Sequence, residues 1–315
     1  MNPISVNVLT PPRLGGPFTW AKNLVQLLNQ KNIRSKHIFQ RRNLLFSPIY
    51  QDADIIHTAF PQFFKLYRKP IVFTLHGDYT IEKSQWIYPT KLAIRKANAL
   101  TTPSYYLKDK LHLDDAIVIP NAVYPDYYNI VNHRKNDQIH IVSVTNFAFR
   151  DKAEGIIRTI KFIDELKKLT DITINYTIVG DGKYLDHVKT TTQDIRVTPH
   201  FTGFLKDIRP ILENGDIFIY YSIHDNFPIS LLEAMASGLP IVTNNVGAVP
   251  EIITDSYDGY VCADDEKYKE CLLKLIENTQ LRENIGLNAR CTVEEKFNWV
   301  SRIYQYISIY NEVLH

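Results

Sequence analysis

Residues 216–243 constrain the fold more than any other stretch, because they set down a buried strand, a polar loop, a helix and a second strand in close succession. Asp216-Ile-Phe-Ile-Tyr-Tyr-Ser222 is β-branched and aromatic with no charge after its first residue, the composition of a parallel strand covered on both faces. Asp225, Asn226, Phe227 and Pro228 then form a turn-rich loop. An apolar, helix-favouring run from Ile229 to Met235 follows, stopped by Ser237-Gly238 and Pro240. A loop between a strand's carboxyl end and a helix N-terminus points backbone N–H groups outward, which is where α/β sheets hold phosphates. An anionic ligand is expected at this loop.

Glu233 lies inside that helix directly after two leucines. A carboxylate among apolar residues is costly to bury unless something hydrogen-bonds it, so an isolated helix would turn it to solvent. The surroundings argue otherwise. An acid (Asp225), seven intervening residues and then Glu-Ala-Met-Ala-x-Gly-x-Pro resembles the signature of the family-four retaining glycosyltransferases, also called glycosyl transferases group 1. These enzymes use nucleotide-activated sugars and have the GT-B fold, two Rossmann-like doubly wound domains facing across a cleft.

The rest of the chain alternates in the same way. Runs at 4–9, 34–39, 54–58, 70–75, 99–102 and 116–119 read as short strands separated by helical or loop segments. A helix is expected at 18–28, after the Gly15-Gly16 turn. The alternation implies a doubly wound parallel sheet. Val118-Ile-Pro-Asn-Ala-Val123 is close to the family's Val-Ile-Pro-Asn-Gly-Val and closes a first domain at 1–130, with a linker at about 124–138. A second domain spans 139–296, opening on a strand at 138–146 and continuing with strands at 173–180, 200–204, 241–243 and 258–261. One long helical stretch is expected at about 266–296. A last helix, residues 300–314, should place Ile303, Tyr304, Ile307, Tyr310 and Val313 on one face and, by the resemblance, cross back to the first domain.

Composition fits an enzyme of ordinary size: 315 residues, 45% hydrophobic, can bury two cores. No apolar run approaches the roughly 18 residues of a membrane span, and the first ten residues lack a signal peptide's basic start, so a cytoplasmic protein is expected. The three cysteines, Cys262, Cys271 and Cys291, have no metal-ligand spacing and fit a reducing compartment. Charge is uneven: residues 1–140 hold 18 Lys and Arg against 9 Asp and Glu, a net +9, whereas 141–315 hold 18 against 25, a net −7. A basic first half suits an anionic partner, such as the surface of a membrane, or is an idle solvated surface. No nucleic-acid signature accompanies it, and no nucleic-acid partner is expected.

The resemblance assigns further residues. It puts Gly15 and Gly16 over the donor phosphates and the acceptor, and an active-site histidine after an apolar strand. The last description favours His76 over His57, both at strand ends. It places an Arg and a Lys after the strand at 138–146, where two cations offset charge on a departing diphosphate. Lys152 fits the Lys. Asn146 stands where the Arg is usual, leaving open whether Arg150 reaches the diphosphate or one cation is absent. Phe204 and Leu205 fall where the family holds the nucleotide base through backbone groups. Glu233 is implied on the ribose hydroxyls and Asp225, in place of the commoner Glu, near the donor sugar. Asn226, Phe227 and Ile229 supply backbone N–H groups that Pro228 cannot.

A retaining transfer from a nucleotide diphosphate-sugar to a hydroxyl of a glycan, lipid-linked or small-molecule acceptor is therefore implied, with no cofactor and no metal. The Asp52-Ala-Asp54 pair precedes a strand, a poor place for a donor-bound metal. The alternatives are a GT-B sugar-nucleotide epimerase or phosphorylase, and a non-catalytic binding subunit that keeps the fold.

Overall fold

Apolar runs separated by helices leave strands only parallel neighbours, and every strand pairing among the described residues is parallel. The computed structural model describes residues 4–11, 16–39, 52–61, 69–81, 86–131 and 138–315. Gly15 lies outside them. The chain divides into two compact units, Met1–Asn121 with Trp299–His315, and Ala122–Asn298.

The first unit contains β1 (Ser5–Leu9), α1 (Gly16–Gln30), β2 (Arg34–Ile38), β3 (Ile55–Thr58), β4 (Ile71–Thr74), α2 (Ile87–Lys96), β5 (Ala99–Thr102), α3 (Tyr105–Lys110) and β6 (Ile117–Val118). Its strand order is β2-β1-β3-β4-β5-β6. β3 and β4 are buried along their whole length, which is why their residues show no alternation in sequence. Asp52 and Asp54 serve this sheet structurally: Asp52 accepts from Lys36 Nζ (2.8 Å) and Asn7 Nδ2 (2.9 Å), and Asp54 from the hydroxyl of Ser5 (2.7 Å).

The second unit contains β7 (Gln138–Val144), α4 (Arg150–Leu166), β8 (Thr173–Val179), α5 (Leu185–Thr191), β9 (His200–Gly203), α6 (Arg209–Glu213), β10 (Ile217–Tyr220), α7 (Ile229–Ala236), β11 (Ile241–Asn244), α8 (Val249–Ile252), β12 (Tyr260–Cys262), α9 (Asp265–Glu277) and α10 (Thr279–Lys296). Its strand order, β12-β11-β10-β7-β8-β9, reverses direction between β7 and β10. That is the topological switch point, where loops diverge and open sheets take their ligands. Two close backbone approaches shape this edge. A Cβ on Gly155 would lie 2.0 Å from the carbonyl oxygen of Tyr221, and one on Gly180, at φ +143°, would lie 2.0 Å from that of Thr145. Glycine lets α4 rest on the end of β10, and the 180–182 turn on the loop after β7.

Two sequence expectations are corrected. The helical stretch at 266–296 is two helices, because Asn278 takes extended backbone and its side chain caps α10, accepting from the Leu281 N–H at 3.0 Å. The buried Arg282 satisfies the end of α9 by donating to the carbonyls of Leu275 (2.7 Å) and Ile276 (3.1 Å). The last helix, α11 (Trp299–Leu314), buries Trp299, Ile303, Tyr306, Ile309 and Tyr310, whereas Tyr304 is exposed and accepts from Lys31 Nζ at 2.7 Å. Its inner face follows Tyr306, whose hydroxyl accepts from the Trp20 indole at 2.9 Å. Of the linker expected at about 124–138, the described residues 124–131 fall within the second unit.

The closeness of α4 to β10 gives a test. Gly155→Ala must push the helix away from the Tyr221 carbonyl, costing about 2–4 kcal/mol. A fall in Tm of about 5 °C or more by calorimetry is expected, and an unchanged Tm would contradict this packing.

Candidate active site

Asp225 follows β10 and is 9% exposed, deep enough that its charge requires compensation. The compensation comes from Lys152 in the first turn of α4, whose Nζ lies 2.7 Å from Asp225 Oδ2. The hydroxyl of the buried Tyr220 donates to the same oxygen, and the Phe227 N–H donates to Oδ1 at 3.1 Å. Burial works against the charge, yet the Lys152 ammonium and these hydrogen bonds outweigh it, and the carboxyl sits below its ordinary pKa. The switch point thus joins an anion and a cation from two loops far apart in sequence.

Glu233, on α7, has the opposite environment. Burial pushes its carboxyl up to about 7, and a single hydrogen bond, from the Tyr128 hydroxyl to Oε1 at 3.3 Å, pulls the other way. Tyr128 is held in turn by the buried Arg290 of α10, which donates to the Tyr128 carbonyl at 3.0 Å. The loop entering α7 is ordered by the same packing: Pro228 is its N-cap, and the ring of Phe227 meets that of Phe297 at 6.0 Å. Asn226 and Ile229 flank them, both half-buried.

The other expected donor residues are not drawn to this pair. Asn146 is exposed and its side chain accepts from the Ala148 N–H at 2.9 Å, a turn that leads into α4. Arg150 pairs with Glu154 one helical turn on, at 3.3 Å. It lines a cavity of about 650 Å³ with Glu154, Arg158, Tyr221 and Ile223, whose walls include none of Lys152, Asp225 and Glu233. Two of its basic side chains are already paired, Arg150 with Glu154 and Arg158 with Asp265, so the buried Asp225 and half-buried Glu233 mark the better candidate. Phe204 is exposed and Leu205 half-buried at the end of β9.

In the first unit the two histidines differ. His57 is fully buried and both ring nitrogens are engaged, Nδ1 with the Tyr310 hydroxyl and Nε2 with Thr74 Oγ1, each at 2.7 Å. That is a structural histidine. His76 is half-buried, lies edge-on to Trp20 at 4.8 Å, and has a buried Nε2 without a hydrogen-bond partner among the described residues. Burial lowers both to a pKa of about 3, so both rings are neutral at physiological pH. Gly16 opens α1 in the same unit.

Residues 129–292 match the family described as Glycosyl transferases group 1, and residues 3–127 match Glycosyltransferase Family 4. The chain belongs to the glycosyl transferases group 1. It is a glycosyltransferase with the GT-B fold. N-acetyl-alpha-D-glucosaminyl L-malate synthase of Bacillus anthracis is 25% identical over 88% of this chain and 77% of its own length. The UDP-Gal:alpha-D-GlcNAc-diphosphoundecaprenol alpha-1,3-galactosyltransferase of Escherichia coli is 24% identical over 49% of this chain and 40% of its own. Among solved structures, Anabaena HepE in complex with UDP and glucose superposes at a TM-score of 0.80, with 15% identity over 98% of this chain and 100% of that one. At that identity the likeness speaks for the fold alone.

Sequence reasoning did not find Tyr220, Tyr128 or Arg290 in this glycosyltransferase. A tyrosine ending a fully apolar strand was a signal for Tyr220, since a buried phenol seeks a partner. Nothing distinguished Tyr128 among the tyrosines of an apparent linker.

Glu233 also makes stability depend on pH. Its folded pKa of about 7 lies above the ordinary 4.5, so the folded state holds a proton that the unfolded chain has lost between those values, and stability falls as pH rises through this window. Without nucleotide, Glu233→Gln should match the parent near pH 5 and exceed it by about 1–3 kcal/mol near pH 8. Denaturant melts at both pH values check this, and a pH-independent difference would refute it.

Proposed function

We propose that this glycosyltransferase moves a sugar from a nucleotide diphosphate-sugar to an acceptor hydroxyl with retention of configuration and without a metal. The Lys152–Asp225 pair, 2.7 Å apart at the switch point, carries the reading. Each partner offers the charge a bound donor would exchange for. The diphosphate takes up the Lys152 ammonium, whose value grows as negative charge collects on the leaving group. Asp225, released from it, accepts from donor-sugar hydroxyls. Backbone N–H groups of Asn226, Phe227 and Ile229 complete the cradle, and Glu233 accepts from the ribose. Phe204 and Leu205 offer backbone groups to the base. Gly15 and Gly16 allow close approach of phosphates or acceptor, and Asn146, or Arg150 once freed from Glu154, faces the diphosphate.

The relatives' names support a UDP-sugar donor and an acceptor that is lipid-linked, as in the Escherichia coli enzyme, or small. The alternative, a binding subunit or an epimerase, draws on Asn146 standing where Arg is usual. It is separated by whether free nucleoside diphosphate appears only when acceptor is present. Lys152→Ala should lower kcat by about 100-fold or more, and by a larger factor than it weakens donor binding. His76→Ala, on the acceptor side, should reduce turnover with nucleotide affinity unchanged. Parent-like kcat in either variant removes that residue from the mechanism.

The acceptor is proposed to be met at the cytoplasmic face of a membrane. Trp86 and Tyr88, next to Lys91, Arg95 and Lys96 on α2, are exposed in the basic first unit, the mixture that favours an anionic headgroup layer. Vesicles rich in phosphatidylserine should co-float the protein in about 0.05 M salt and release it in about 0.5 M. Absent or salt-insensitive flotation would point to a soluble acceptor instead.

A further inference from the structure

The segment 122–131 is built into the second unit by more bonds than a linker requires. Arg290 is 7% exposed, and its Nη1 donates to three carbonyls: Pro125 at 2.8 Å, Tyr128 at 3.0 Å, and Ala236, at the end of α7, at 2.5 Å. The guanidinium therefore fastens the segment to the helix that carries Glu233. Four further bonds hold the flanks. The Val123 N–H reaches the Phe297 carbonyl and the Val131 N–H the Ser237 carbonyl, both at 2.9 Å. Asn129 Nδ2 donates to Glu213 Oε1 at 2.9 Å, and Arg209 Nη1 to the Tyr127 carbonyl at 3.4 Å. All of this fixes the backbone on both sides of one half-buried side chain, Tyr128, whose hydroxyl ends on Glu233 Oε1.

We infer that Tyr128 is a positioning residue of the nucleotide site, its phenol holding one oxygen of Glu233 so that the other is presented to the ribose, with Arg290 latching Tyr128 in place. The inference rests on the reading of Glu233 as the ribose contact. A carboxylate set among Leu231, Leu232, Ala234 and Ala236 can rotate and can take up a proton, and either change weakens it as an acceptor for a diol. One fixed phenolic donor opposes both. It selects a rotamer, and it stabilises the ionised form by a charge-assisted hydrogen bond. Among the described residues, the charged groups acting on Tyr128 from neighbouring elements are Asp207 and Arg209, joined at 2.6 Å, and Arg290, which bonds the Tyr128 carbonyl and is itself paired with Glu294 at 2.5 Å.

The test is isothermal titration of the full chain with UDP, ADP and GDP, continued with the tightest of them and its 2′,3′-dideoxy form from about pH 5.5 to about pH 8.5. The parent should prefer the ribonucleotide by about 10-fold or more, with affinity lost as pH falls through a midpoint that Glu233→Gln abolishes. Tyr128→Phe keeps the ring and its packing. It should weaken the ribonucleotide by about 5–20-fold, leave the dideoxy form nearly unchanged, and raise the midpoint by about half a unit or more. Arg290→Lys should shift both readouts in the same direction. If Tyr128→Phe keeps the parent's ribo-to-dideoxy ratio and midpoint, the role of Tyr128 is overturned while Glu233 stands. If the parent binds none of the three nucleotides, or does not discriminate the dideoxy form, the ribose reading falls and this inference with it.

Discussion

A carboxylate at the end of an apolar sheet needs a counter-charge, and much of the second unit's architecture serves to deliver one. Asp225 is fixed by β10, whereas Lys152 belongs to a helix that starts after β7. The ammonium reaches the carboxylate because α4 lies against the end of β10, and α4 can lie there because position 155 has no side chain to strike the Tyr221 carbonyl. Removing one partner of a buried pair costs about 3–5 kcal/mol, so the pair also ties the two loops together. Under the proposed function, chemistry and fold share this interaction, because the charges that tie the two elements together are those a nucleotide-sugar donor would engage.

The two acids of the signature occupy contrasting environments eight residues apart. Asp225 meets an ammonium, a phenol and an amide, which together overcome burial and keep it ionised. Glu233 meets one phenol, and burial prevails, lifting it to about 7. Perturbed carboxylates cluster at functional sites, and this contrast accords with the roles proposed for Asp225 and Glu233. The cost of holding Glu233 is carried by packing elsewhere in α7, where Leu231, Leu232, Ala234, Met235 and Ala236 are buried.

The first unit is organised around a different buried polar set. Trp20 stands edge-on to His57 and His76 and donates to Tyr306, while Tyr310 closes on His57. Two turns of α11 thereby satisfy groups on α1 and β3 that an apolar core would leave orphaned. His57 is consumed by this network, whereas His76, just beyond the carboxyl end of β4, keeps an Nε2 with no hydrogen-bond partner among the described residues.

The sequence by itself determined the fold class, the place of every described strand, and the loop-and-helix unit with Asp225 and Glu233. Each of these is a local pattern: apolar runs for strands, glycine and proline for stops, fixed spacing for the two acids. The family resemblance, rather than any local pattern, pointed to Lys152 and preferred His76 to His57. Only tertiary structure decided who meets whom. That Lys152 reaches Asp225 while Arg150 turns to Glu154 depends on how α4 lies on β10, and one helical turn separates neither possibility in sequence. The break at Asn278 and the exposed Tyr304 were misread because helical periodicity survives a one-residue cap and tolerates a shift of face. Tyr128 was invisible for a deeper reason. A tyrosine in a polar stretch carries no local sign of burial, and its contact with Glu233 is set by Arg290, 162 positions along the chain.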